Sequence, residues 1–128
     1  MDDELAEIIL NAAMDLRNEI VKKINSNIPP PNKPSTIKQK GSSKTLVDTG
    51  NMINSVDMQL IKSGADDIEV AVGIFDPGVA IYALANEYGT DTIPSRSFMR
   101  SAYDENIDRI LDQMASEVSY IISKKFSH

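Results

Sequence analysis

Four places in the chain hold residues that could do chemistry. Leu46-Val47-Asp48-Thr49-Gly50 sets an Asp between two apolar residues and a Thr-Gly pair, an arrangement in which two such carboxylates, one per subunit, could share a proton and activate water. Asp66, Asp67 and Glu69 gather acids at one point, but they lack the glycine and the spacing of a calcium loop. Gly73 and Gly78 belong to neither a GxxxxGK[ST] nor a GxGxxG pattern, so nothing here cradles a phosphate. Arg96 lies between two serines next to Pro94, where it could pair with an acid of its own subunit, reach across a subunit boundary or bind an anion. The chain has no Cys and its single His is His128, which removes thiolate chemistry and most metal chemistry. No cofactor is expected.

The elements around these residues decide how they are read. Leu5, Ile8, Ile9, Ala12, Leu16, Ile20 and Ile24 recur at three and four, and lysines 22 and 23 close the pattern, which predicts an amphipathic helix over 3–25. Prolines 29, 30, 31 and 34 then forbid a helix, and 28–45 reads as an extended arm or loop. Asp48 and Thr49 are good helix caps, and Met52, Ile53 and Val56 give the following turn one apolar side, so a short helix is expected there. From Val56 the period becomes two, through Met58 and Leu60; after a polar tip it resumes at Ile68, Val70, Val72 and Ile74. That is an antiparallel hairpin with one buried face. Phe75-Asp76-Pro77-Gly78 reads as a turn, 79–88 as a helix stopped by Gly89, and Phe98 to Phe126 as a long amphipathic helix. Tyr82 and Tyr88 read as core or interface packing. The predicted fold is α+β in one domain, 1–128: a small antiparallel sheet packed against two long terminal helices.

These flanks weigh against catalysis at Asp48. Its block resembles the active-site loop of aspartic peptidases, yet Asn51 stands where a small residue is favoured, and the neighbours are helical. A helix cap is the better reading of Asp48, with a dimeric peptidase as the alternative. Charge adds a second open question. The chain carries a net charge of −6, which disfavours general nucleic-acid binding, but 28–45 holds Lys33, Lys38, Lys40 and Lys44 and no acid. The stretch reads as a solvated loop, as an arm that docks on an acidic neighbour, or as a DNA-contacting module. No stretch approaches a membrane span, and Met1-Asp2-Asp3-Glu4 has the wrong charge for a secretory signal, so a soluble protein made in the cytoplasm is expected.

Three blocks occur in order: Leu46-Val47-Asp48-Thr49-Gly50-Asn51-Met52-Ile53-Asn54-Ser55-Val56, Tyr82-Ala83 to Glu87-Tyr88-Gly89-Thr90, and Ile93-Pro94-Ser95-Arg96-Ser97-Phe98-Met99. Together with the arm they resemble the tail-completion and head-tail joining proteins of long-tailed bacteriophages, also described as neck, virion morphogenesis or minor tail components. Ser95 and Ser97 replace the family's Ala and Pro, and Met52 and Met99 its Leu. The resemblance implies a structural virion protein without enzymatic activity, made in the host cytoplasm and located in the tail or neck. It implies a homo-oligomeric ring of six subunits, with a tail terminator or tail tube protein on one side, head-side connector proteins on the other and DNA in the channel as a further contact. In this reading Lys33, Lys38, Lys40, Lys44, Tyr88 and Arg96 face partners. Asp48, Thr49, Gly50, Gly89, Pro94 and Phe98 hold the junction between the sheet and the last helix.

Overall fold

The computed structural model describes residues 2–26, 28–29, 49–64 and 67–126. Helix α1 spans Asp2–Asn25 and α2 Thr49–Ser55. Strands β1, Val56–Ser63, and β2, Ile68–Ile74, form an antiparallel hairpin. Helix α3 follows over Pro77–Tyr88 and α4 over Met99–Phe126. The α+β class, the two-stranded sheet and the long terminal helices agree with the apolar periodicities. The Lys-bearing arm, from 30 onward, lies outside the described residues.

A two-stranded sheet is marginal in water, and α1 supplies its missing partner: both strands pack on α1, and α4 packs along the same helix. Ile20 and Ile24 of α1, Met52 of α2, Val56 of β1, Ala83 of α3, and Phe98 with Ala102 at the start of α4 form one buried cluster. Each fully buried large side chain contributes roughly 1.5–3 kcal/mol. The Arg17 Nε donates to the Val56 carbonyl at 3.0 Å, tying α1 to the point where β1 begins. Along the helix pair, Lys23 meets Glu105 at 2.7 Å and Arg109 meets Asp15 at 2.8 Å, so α1 and α4 run antiparallel.

Two expectations need correction. The buried face of the hairpin stops early: Val56 is buried and Met58 half-buried, but Leu60 is 58% exposed, because period two identifies a common face without requiring anything to cover it. The supposed turn at Asp76-Pro77-Gly78 is instead the start of α3. Asp76 is its N-cap, accepting from the Gly78 N–H at 2.9 Å, and Pro77 occupies the first helical position, where its missing N–H costs nothing.

Strand β1 carries a bulge. Leu60 pairs with Val70 and Lys62 with Glu69, leaving Ile61 without a partner. Simple alternation would put Lys62 on the face of Leu60; the extra residue reverses the phase and returns Lys62 to the polar face beside Glu69.

Candidate functional site

Among the described residues, the buried polar side chains are Asn86, Glu87 and Arg96: the first two lie in the last turn of α3 and the third in the loop that leads to α4. The cause is a helix start without a local cap. The Ala102 N–H bonds the Phe98 carbonyl at 3.1 Å, which makes Phe98 the cap residue of α4, and a Phe side chain has no acceptor to offer the free N–H groups. Glu87, in the last turn of α3, supplies one. Its carboxylate accepts from the backbone N–H groups of Phe98 at 3.2 Å, Met99 at 2.9 Å and Arg100 at 3.3 Å. It also accepts from the Ser97 hydroxyl. A carboxylate at a helix N-terminus is further favoured by the helix dipole.

The end of α3 is closed by the same segment. The Ser95 hydroxyl donates to the Glu87 carbonyl at 2.8 Å, and the Arg96 N–H to the Asn86 carbonyl at 2.7 Å. The Asn86 side chain donates to the Tyr82 carbonyl at 2.9 Å and to the Met52 sulfur at 3.9 Å, which links α2 to the same knot. Gly89 makes the tight return possible. Its φ is +81°, and a Cβ there would stand 2.8 Å from the Ser95 nitrogen, so no other residue fits without movement. Thr90 completes the loop, accepting at its hydroxyl from the Ile93 N–H at 3.0 Å.

Chemically, this clasp is committed. Two carboxylate oxygens that already accept from four donors have little capacity left for a substrate proton. Arg96 is 4% exposed, and burial pushes its pKa down from the ordinary guanidinium value. The expectation that Arg96 faces a partner therefore needs correcting: its own chain covers it. Phe98 lies in the core as expected, Pro94 is exposed on the loop, and Tyr88 is 71% exposed, so Tyr88 is not core packing. Thr49 and Gly50 open α2. Asp48, Lys33, Lys38, Lys40 and Lys44 lie outside the described residues. Among the described residues, no group of three or more His, Cys, Asp or Glu could hold a metal ion, and no helix is long and apolar enough to cross a membrane.

Beside the clasp lies an open groove of about 650 Å³. It is lined by Leu16 and Ile20 of α1, Val72 and Ile74 of β2, Leu84 and Tyr88 of α3, and Phe98, Met99 and Tyr103 where α4 begins. Its lining is mostly apolar, with Glu87, Arg100 and the two tyrosines as the polar groups. No protein-family model, curated protein or solved structure matches the chain.

Sequence pattern did not point to the capping role of Glu87. A helix that starts behind Phe98 has no capping side chain at that position, which leaves its first N–H groups to be met by something else without saying by what.

Proposed function

We propose that the chain is a structural component of a tailed-phage particle, a tail-completion or neck subunit that self-assembles and joins tail to head. The observation that carries this reading is the meeting of the three motif blocks in one knot. Met52 of the first block, Asn86 and Glu87 of the second and Ser95 to Met99 of the third are bonded to one another. Residues far apart in the chain are thus tied by the geometry of helix ends, and the Glu87 carboxylate, the acid among them, is taken up by backbone N–H groups and the Ser97 hydroxyl. A motif set of this kind serves a scaffold; a catalytic set needs open acceptors.

Surface chemistry is compatible with the same reading. Large apolar side chains stand in water on α3, on the outer turns of α4 and on the hairpin, and the cores of subunit contacts are built from side chains of this kind. In this reading the partners are further copies of the chain, a tail terminator or tail tube protein, and head-side connector proteins. The lysines of the arm face an acidic neighbour or the DNA of the channel. The ring of six is carried by the resemblance alone.

Inactivating the gene in a strain that produces the particle tests the proposal by electron microscopy. The expected result is filled heads and separate tails, with joining restored by the purified protein. Complete infectious particles in its absence would overturn the reading.

A further inference from the structure

An open strand edge is a row of main-chain donors and acceptors, and the two edges of this hairpin differ. On β1 the Val56 carbonyl accepts from Arg17, and the Met58 N–H donates to the Asp57 carboxylate at 2.8 Å. The bulge at Ile61 and the charge of Lys62 interrupt the rest of that edge. Side chains of the protein itself thus close it.

Strand β2 has no such guard. Residues opposite each other in an antiparallel pair either bond across it or both face away from it. Val72 lies opposite Met58 and Ile74 opposite Val56, whose main-chain groups are turned to side chains, so the N–H and C=O of Val72 and Ile74 face the open side of β2. Among the described residues nothing bonds to them. Both residues are half-buried, and no Pro, Lys or bulge interrupts this strand.

The groove runs along this edge. Val72, Gly73, Ile74 and Phe75 line it in unbroken succession, whereas a groove over one face of a strand meets every second residue. Gly73 fits the same picture. Its φ is not positive and a Cβ there would meet nothing within 4 Å, so neither its conformation nor its neighbours require glycine. Glycine inside a strand marks the close approach of another backbone.

The apolar lining is too small to hold a folded partner by burial. It suits one extended strand, whose main-chain hydrogen bonds give the affinity and whose alternate side chains fill the groove. Two charged residues border it. Glu87 is taken up at the start of α4, while Arg100 stands exposed, 3.8 Å from Asp104 and beyond hydrogen-bond distance. The charge left open is positive.

We propose that β2 takes a third strand from another protein: an extended segment bonded to the Val72 and Ile74 main chain, with an apolar side chain over Leu16 and Ile20 and an acid at Arg100. The site does not depend on the joining of head and tail, and its failure would leave that reading untouched.

Amide hydrogen exchange of the full chain, followed by NMR, tests this with the peptide acetyl-Glu-Val-Thr-Val-Glu-amide, whose end acids serve either orientation. When roughly nine chains in ten are occupied, the Val72 and Ile74 amides are expected to exchange about tenfold more slowly, because exchange proceeds from the free chain. The Gly73 amide, already turned to β1, is expected not to change. The same peptide with its backbone nitrogens methylated keeps the side chains without the donors and is expected to slow neither amide. A version with Lys at both ends is expected to bind more weakly. Val72→Pro removes an outward N–H and leaves the bonds to β1, so it is expected to abolish binding; circular dichroism checks its fold, and the methylated peptide on the wild-type chain decides if it unfolds. No binding of the acidic peptide at about 1 mM, or equal binding of the methylated or lysine peptide, overturns the proposal. Slow exchange of both amides in the free chain overturns it too, assigning the edge to a second copy if it rises with protein concentration and to the chain itself if it does not.

Discussion

At the scale of single residues, Glu87 has the largest expected effect for its size. A lost cap costs about 0.5–2 kcal/mol, and each buried donor left without an acceptor about 1–3 kcal/mol. Replacing Glu87 by Ala strips three backbone N–H groups and the Ser97 hydroxyl of their acceptor, so urea denaturation is expected to report a loss of about 3 kcal/mol. A loss below about 1 kcal/mol would mean that water replaces the carboxylate and that the clasp is not what fixes α4. This role could not be read from local pattern, because the donors lie ten to thirteen residues beyond Glu87 and come within reach only once α3 and α4 are placed. Gly89, by contrast, was legible as a helix stop; what was hidden was the second demand on it, the close approach of Ser95. For Arg96 the sequence left pairing within its own subunit and a subunit boundary both open for a related reason, and only the packed loop reveals that it is covered.

Among the elements, α1 and α4 hold each other by apolar contact inside and by charge at the edge. Arg109 donates two hydrogen bonds to the Asp15 carboxylate, at 2.8 and 2.9 Å. These bonds hold the Asp15 pKa below its ordinary value, against the opposing effect of burial. A depressed pKa in the folded state means that the pair stabilises the fold above the ordinary carboxylate range and that this share is lost as pH falls through the folded value. Arg109→Met is therefore expected to separate from wild type in urea midpoint near pH 7 and to converge with it below about pH 4. The gap should be small, since Arg109 is half exposed and salt screens such pairs. A gap that persists unchanged in acid would assign the effect to packing of the arginine stem. The elements themselves were legible where period and length were unambiguous: the two long helices and the hairpin. The start of α3 was not, because Asp-Pro-Gly serves equally well in a turn and at a helix start, and the choice depends on whether the next residues have a core to face. The exposure of Leu60 is the same lesson for strands, since alternation says nothing about how far the supporting helix reaches.

For the molecule as a whole, charge and exposed apolar surface oppose each other. A net charge of −6 at pH 7 keeps copies apart at long range, while the faces on α3 and α4 favour contact at short range. The sequence pI is about 4.7, so repulsion vanishes there. Light scattering is expected to show association rising steeply as pH approaches about 5 and reversing on return to about 7.5. Unchanged scattering across that range would mean that the exposed side chains are too dispersed to act as faces. The bulge at Ile61 bears on the molecule in another way. Because it sits where the hairpin has left the support of α1, the chain length of the outer hairpin is uncoupled from the phase of the inner half. Residues could be gained or lost in matched pairs beyond Ile61 without turning Val56 or Met58 away from the core, so this arm of the protein is free to change its reach while the fold beneath it stays the same.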